Sequence, residues 1–265
     1  MYIILSMKGL PNGFVFLGIN VRFYGMLMAT AMLIGIILGL KNAKYRNMVA
    51  DNIYVLALVV LPLAIIGARL FFVLGADRSY TFWEIFKTWE GGMSIYGGII
   101  GGAIGVALYC IIYEKNFLDL ADVAAVSLAL GQAIGRWGNF FNQEVYGHIV
   151  ENPSMQWFPF AVLLDNGEWH YALFFYEFLI NLAIFAVLFV LIRRIKTRGY
   201  VMGLYLVMYG AIRFLLEPLR EQEYNLMLFG LKLSSLTSAI AVLAGIISLV
   251  WIYTKSRRGV NGKQE

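Results

Sequence analysis

The sequence predicts an all-α, polytopic integral membrane protein with about seven transmembrane helices, the N-terminus outside and the C-terminus in the cytoplasm. Three observations carry this. Hydrophobic residues make up 60% of the chain and charged residues only 14%, with a mean hydropathy of +0.73, whereas soluble domains carry about a quarter charged residues. The apolar runs reach the roughly 18 residues a spanning helix needs, and they lack the polar/apolar alternation of barrel strands. The basic residues of the connections gather on one side once seven spans are counted.

Residues 1–16 read as an arm on the outer membrane surface. Their apolar run is short, lacks a basic leader region and is interrupted by Pro11-Asn12-Gly13, so it does not read as a cleavable signal peptide. Spans are expected at 17–40, 53–75, 94–113, 118–138, 171–192, 200–217 and 234–253. The connection after the first carries Lys41, Lys44 and Arg46, that after the third Lys115, and that after the fifth Arg193, Arg194, Lys196 and Arg198. The tail, 254–265, carries Lys255, Arg257, Arg258 and Lys263 and is assigned to the cytoplasm. The opposite connections mix Arg78, Lys87, Arg220 and Lys232 with Asp77, Glu84, Glu90, Glu151, Asp165, Glu168, Glu221 and Glu223. Trp83, Trp89, Trp157 and Trp169 lie on that same side, as interfacial aromatics do. The main extracytoplasmic loop region is 139–170, and 1–265 form a single membrane domain.

Some function classes drop out early. A net charge of +5 that follows loop sidedness speaks against nucleic acid as a partner. Cys110 is the single cysteine, which excludes an intrachain disulfide, and without a CxxC pair or a His/Cys cluster no metal site is expected. Gly97, Gly101 and Gly105 line one face of the third span; they allow close helix packing or a groove for a lipid chain, and both readings stay open.

Ionisable residues inside a span cost at least about 2.5 kcal/mol each at mid-bilayer, so each needs a reason. Arg22, Arg69, Arg136 and Arg213 lie within or at the edge of spans, all toward the outer side by the topology above. Snorkelling to the headgroups is the plain explanation for each. Arg136 and Arg213 have more than that. Arg136, Asn139 and Asn142 are three apart and share a face if the helix continues, with Glu144 just beyond. Tyr209, Arg213 and Glu217 are four apart, with Arg220 a turn further on and Pro218 ending the regular helix. Two intramembrane arginines on different helices toward one leaflet suit an anionic ligand, because guanidinium groups bind phosphate through paired hydrogen bonds. At this depth that phosphate belongs to a phospholipid headgroup. A structural ion-pair network and a transporter or channel for an anionic lipid or solute are the alternatives; no internal repeat supports the latter.

The segment Gly135-Arg136-Trp137-Gly138-Asn139-Phe140-Phe141-Asn142-Gln143-Glu144-Val145-Tyr146-Gly147 resembles, at every fixed position, the signature of the bacterial prolipoprotein diacylglyceryl transferases. The resemblance extends to Tyr24-Gly25, Gly67-Ala68-Arg69, Gly91 through Gly98, Tyr176-Glu177 and Tyr209 through Glu217, and so covers most of the chain. It implies an enzyme of the bacterial cytoplasmic membrane with its site toward the outer leaflet. Its partners would be phosphatidylglycerol, membrane lipids and the signal peptide of a prolipoprotein with its lipobox cysteine. The implied reaction transfers the sn-1,2-diacylglyceryl group to that thiol and releases glycerol 1-phosphate. No cofactor is implied, since the phosphodiester is already an activated leaving group. Arg136 and Arg213 are then expected at the phosphate, with Asn139, Asn142, Glu144 and Gly147 around the headgroup. Glu217 and Tyr209 would orient Arg213, and Tyr24, Gly25, Arg69 and Glu177 are further expected substrate-site residues. Tyr96 stands where many relatives have histidine and becomes the candidate relay for the thiol proton. The usual His-Pro opening of the fifth span is replaced by His170-Tyr171, with the histidine one residue out of register, so neither His170 nor His148 is assigned a catalytic role.

Overall fold

The computed structural model describes all residues except 1–4, 8, 18, 77–79, 89–91, 222–226, 229–230 and 262–265, with backbone alone at 19–20, 227–228, 231 and 256–261. Asp77, Arg78, Trp89, Glu90, Gly91, Glu223 and Lys263, and the ends of the proposed arm and tail, lie outside the described residues. Among the described residues seven helices are long and apolar enough to cross a membrane. The chain divides into two compact units: residues 39–121, and residues 1–38 together with 122–265.

A hairpin of β1 (Gly13–Phe16) and β2 (Ile19–Arg22) opens the chain and pairs Gly13 with Arg22. Helix α1 (Phe23–Ala43) follows directly. The first span therefore starts at Phe23 rather than at residue 17. Hydropathy alone does not separate an apolar strand from an apolar first helical turn, and the turn residues Pro11-Asn12-Gly13 select the strand. The next elements are α2 (Ala50–Leu74), the short α3 (Phe82–Phe86) and α4 (Ile95–Ile112). Then come α5 (Phe117–Asn142), the hairpin β3 (Ala161–Leu163) and β4 (Trp169–Tyr171), and α6 (Leu173–Arg194). The chain closes with α7 (Tyr200–Leu216), the hairpin β5 (Met227–Leu228) and β6 (Leu231–Lys232), and α8 (Leu233–Asn261). Because α5 runs on to Asn142, the loop expected from 139 begins four residues later, at Gln143.

In the unit 39–121, α2 and α4 pack through glycine. A Cβ on Gly97 would meet the carbonyl of Gly67, one on Gly101 the carbonyl of Leu63, and one on Gly105 would lie 2.9 Å from the Val60 Cα. The glycine face is therefore filled by the α2 backbone, which decides for close packing over a lipid groove. Outward residues such as Leu58 and Ile111, each 74% exposed, are the lipid-facing complement of this packing.

In the other unit, α5 is the buried centre, with Ala125, Val126, Ala129 and Ala133 fully covered. Ser127 donates from α5 to the Gly35 carbonyl of α1 at 2.9 Å. Helix α7 opens on Gly199 in the left-handed conformation and lacks a capping side chain of its own. The buried Asp122 of α5 supplies the cap, accepting from the Gly199 and Met202 amides at 2.8 Å each. Helices α7 and α8 approach at Gly210, where a Cβ would lie 2.9 Å from the Ser238 carbonyl.

The segment between α5 and α6 forms a cap over one end of this unit. Residues 5–7 add to the β3–β4 hairpin, the Met7 amide donating to the Leu163 carbonyl at 2.8 Å. Met7 is fully buried in a cluster with Phe140, Val162, Leu164, Ala172 and Phe174. The part of the N-terminal arm that the structure describes there is thus docked on the cap.

Candidate active site

The site is built from the ends of four helices of one unit: the start of α6 and α8, and the last turns of α5 and α7. The continuation of α5 to Asn142 puts Arg136, Asn139 and Asn142 on one face, as their spacing requires. Arg136 Nη1 donates to Asn139 Oδ1 at 3.2 Å. Asn139 and Asn142 in turn donate to Glu144 Oε1 at 2.8 and 3.4 Å. Gly138 is what lets α1 come close: a Cβ there would lie 2.5 Å from the Tyr24 ring. Tyr24 therefore stands beside the signature helix, near enough to feel the charges of Glu144 and Arg136. The neighbouring Gly25 is exposed, with open space over its Cα.

Glu177, one turn into α6 and 3% exposed, is the hub. Its Oε2 meets Arg136 Nε at 2.7 Å, and its Oε1 accepts from Arg220 Nη2 at 2.8 Å. Asn181, one turn deeper, donates to the Glu177 carbonyl at 2.7 Å. On α7, Arg213 donates to Glu217 at 2.5 Å, and Ser234 of α8 donates to the other Glu217 oxygen at 2.5 Å. Tyr209 lies within hydrogen-bonding reach of the Arg136 guanidinium, and its ring stacks on Tyr205 at 5.7 Å between centroids. Tyr209 thus faces Arg136 across the helix interface as well as sharing the α7 stripe with Arg213.

The electrostatics favour an anion. The side chains of Arg136, Arg213 and Arg220 are 14–16% exposed, while those of Glu177 and Glu217 are 4% exposed. The carboxylates are sealed behind the guanidinium groups, which keep edges toward the outside. Arg220 lies just past the α7 span. Burial pushes its guanidinium down from the ordinary value; Glu177 opposes this and the charges of Arg213 and Arg136 add to it. The cation still holds its proton near neutral pH, so three guanidinium groups meet only two contacting carboxylates, the third carboxylate of the site, Glu144, being bonded to Asn139 and Asn142 instead.

Arg220, which the sequence sets a turn beyond the α7 stripe and among the loop charges, and Ser234 are site members outside the expected site residues; the turn Glu217–Leu219 and Pro218 break the helical spacing that would tie Arg220 to Arg213. Gly147 pairs with Arg220 in an antiparallel bridge, and a Cβ on it would lie 2.8 Å from the Tyr171 Cβ and 3.0 Å from the Leu219 carbonyl. Its expected place beside the site follows from that squeeze.

Arg69 and Tyr96 belong to the other unit. Arg69 donates to the backbone carbonyls of Glu84, Ile85 and Gly92 at 2.6, 2.9 and 2.9 Å, with the Phe72 and Tyr80 rings nearby. Tyr96 is half-buried in the first turn of α4, next to the Gly97 contact with α2.

The family description of the prolipoprotein diacylglyceryl transferases matches residues 11–251. The chain belongs to that family. It is 33% identical over 258 residues to phosphatidylglycerol–prolipoprotein diacylglyceryl transferase 1 of Clostridium perfringens (strain 13 / Type A), covering 95% of this chain and 98% of that protein. It is 35% identical over 238 residues to the phosphatidylglycerol–prolipoprotein diacylglyceryl transferase of Streptococcus pneumoniae (strain Hungary19A-6), covering 87% and 89%. Neither the family nor these relatives lend support to the transporter or channel alternative.

Proposed function

We propose that this chain transfers the diacylglyceryl group of phosphatidylglycerol to a cysteine thiol of a prolipoprotein, and that the arginine cluster on Glu177 and Glu217 holds the phosphate. The observation that carries the site assignment is the buried Glu177 carboxylate, ion-paired with Arg136 and hydrogen-bonded to Arg220. The thiol sulfur attacks C3 of the diacylglycerol moiety, an S–C bond forms, and the C3–O bond breaks. The bridging oxygen keeps the electron pair, so the departing glycerol 1-phosphate gains one negative charge as it leaves. Guanidinium groups held by buried carboxylates answer that growing charge without having to reorganise. Asn139, Asn142 and Glu144 suit the glycerol hydroxyls, since they offer both donors and an acceptor. Glu177, Glu217 and Tyr209 orient the arginines, Tyr24 and Gly25 flank the lipid, and Gly147 carries the strand that sets Arg220. Arg69 contributes by holding the segment that precedes Tyr96, the candidate thiol-proton relay.

The thiol acceptor is the lipobox cysteine behind a signal peptide, and the site opens toward the outer leaflet of the cytoplasmic membrane. Loop charge supports that orientation. Cysteine labelling of intact cells tests it: tags near 84 and 155 should react from outside, and external labelling of the 193–198 connection would overturn it. The activity is tested with purified protein in detergent, phosphatidylglycerol and a lipobox peptide. Glycerol phosphate should appear only when both substrates are present. Release without the peptide would mean hydrolysis and would refute the transfer.

A further inference from the structure

We infer that His170 is a positioning residue that sets Arg220 through the Gly147 backbone; the inference rests on the phosphate-holding role of Arg220 proposed above. His170 sits in β4 and is 4% exposed. Its Nδ1 lies 2.8 Å from the Gly147 carbonyl oxygen. A carbonyl only accepts, so Nδ1 carries the proton. Nε2, then without a proton, makes no hydrogen bond among the described residues, Glu168 Oε2 lying 3.5 Å from it, and the ring meets Tyr146 edge-on at 4.6 Å. Among the described residues no backbone amide donates to the Gly147 carbonyl, so the imidazole is what satisfies it.

The strand this bond steadies is the middle one of three. On one side the Gly147 amide donates to the Tyr171 carbonyl at 3.1 Å. On the other the His148 amide donates to the Leu219 carbonyl at 3.1 Å, and the Glu221 amide to the Tyr146 carbonyl at 3.3 Å. Arg220 lies between those two contacts, opposite Gly147, and its guanidinium reaches Glu177 Oε1 at 2.8 Å. A shift of the Gly147 strand moves the backbone that aims Arg220.

A double-mutant cycle tests this in full-length protein, using transfer rates and phosphatidylglycerol binding by native mass spectrometry in parallel. His170→Leu leaves a buried carbonyl unsatisfied and should lower kcat/KM and lipid affinity about tenfold. His170→Asn places an amide N–H the same number of bonds from Cα as Nδ1, and should restore both to within about threefold of wild type. In an Arg220→Ala background, His170→Leu should cost little more, because the residue it positions is gone. A full additional tenfold loss there, or no recovery with Asn, overturns the inference. If transfer is missing in the wild type but lipid binding follows this pattern, the positioning role stands and the transferase reading of the site falls.

Discussion

Replacing Glu177 by Gln keeps the shape of the side chain and removes its charge. The carboxylate meets Arg136 at 2.7 Å and Arg220 at 2.8 Å while only 3% exposed. Hydrogen bonds to charged groups contribute about 1.5–3 kcal/mol each, and neutral ones about half as much. Glutamine keeps one oxygen, so one contact survives as a weaker bond. The other becomes an amide N–H facing a guanidinium N–H, which repels. Adding the lost contact to the weakened one gives about 2.3–4.5 kcal/mol, which overlaps the roughly 3–5 kcal/mol for breaking a buried pair. At 1.36 kcal/mol per decade this is about a 50- to 2000-fold fall in kcat/KM. The measure is the initial rate of glycerol phosphate release at varied phosphatidylglycerol, with thermal unfolding in the same detergent to separate mis-set arginines from a lost fold. Glu177→Asp keeps the charge but, one methylene shorter, reaches one arginine at a time and should fall about tenfold. A Gln variant within threefold of wild type would refute the idea that this carboxylate sets the arginines.

Three further outcomes are expected. Arg136→Lys should lose at least about 100-fold in transfer while inserting normally, because an ammonium cannot meet Glu177, Asn139 and a phosphate with one planar fork; near-normal turnover would exclude that role. Gly138→Ala drives a methyl into the Tyr24 ring, 2.5 Å from the ideal Cβ, and should lower thermal stability by about 1–3 kcal/mol, with Tyr24→Ala in the same chain recovering part of it. Tyr96→Phe should lower activity about 100-fold if the hydroxyl relays the thiol proton, and less at high pH as the thiol ionises by itself; parallel pH–rate profiles with little offset would remove Tyr96 from the reaction.

The parts of the site that lie on one helix were legible from spacing. Arg136 and Asn139, three apart, bond to one another, and Arg213 and Glu217, four apart, do the same. A helix of fixed pitch converts residue number into angle, so such pairs can be seen without a structure. Tyr209 shows one limit of the rule, since it shares the α7 stripe with Arg213 and also faces Arg136 on α5. Spacing gives the face a residue is on but not the neighbour that face meets. Arg69 shows a second limit. Its partners are the carbonyls of Glu84, Ile85 and Gly92, and every residue has a carbonyl, so no side-chain pattern marks the segment it holds. The start of the first span was lost for a third reason: Ile19 and Val21 of β2 carry the apolar run straight into Phe23, so averaging over a span-length window takes the strand in with the helix.

Glu177 was placed at the site by resemblance, yet its environment gave a physical reason to expect a partner. It sits in a stretch from Leu173 to Ile192 whose only other polar side chains are Tyr176 and Asn181, where a carboxylate cannot stay charged without a cation at contact distance. Neighbours on its own helix supply none before Arg193, four turns away at the other end. The cation therefore had to come from another helix at the same depth, where the ends of α5 and α7 and the starts of α1 and α8 bring Arg136, Arg213, Arg220, Arg22 and Lys232; the carboxylate holds Arg136 and Arg220. Membrane depth, combined with the rule that a buried charge is paired, thus narrows the partner to a few positions, of which the two it holds lie 41 and 43 residues from it in sequence. It does not divide them between Glu177 and Glu217. That division is fixed by the Gly147–Arg220 bridge, a backbone contact that carries the third arginine past Pro218 to the hub.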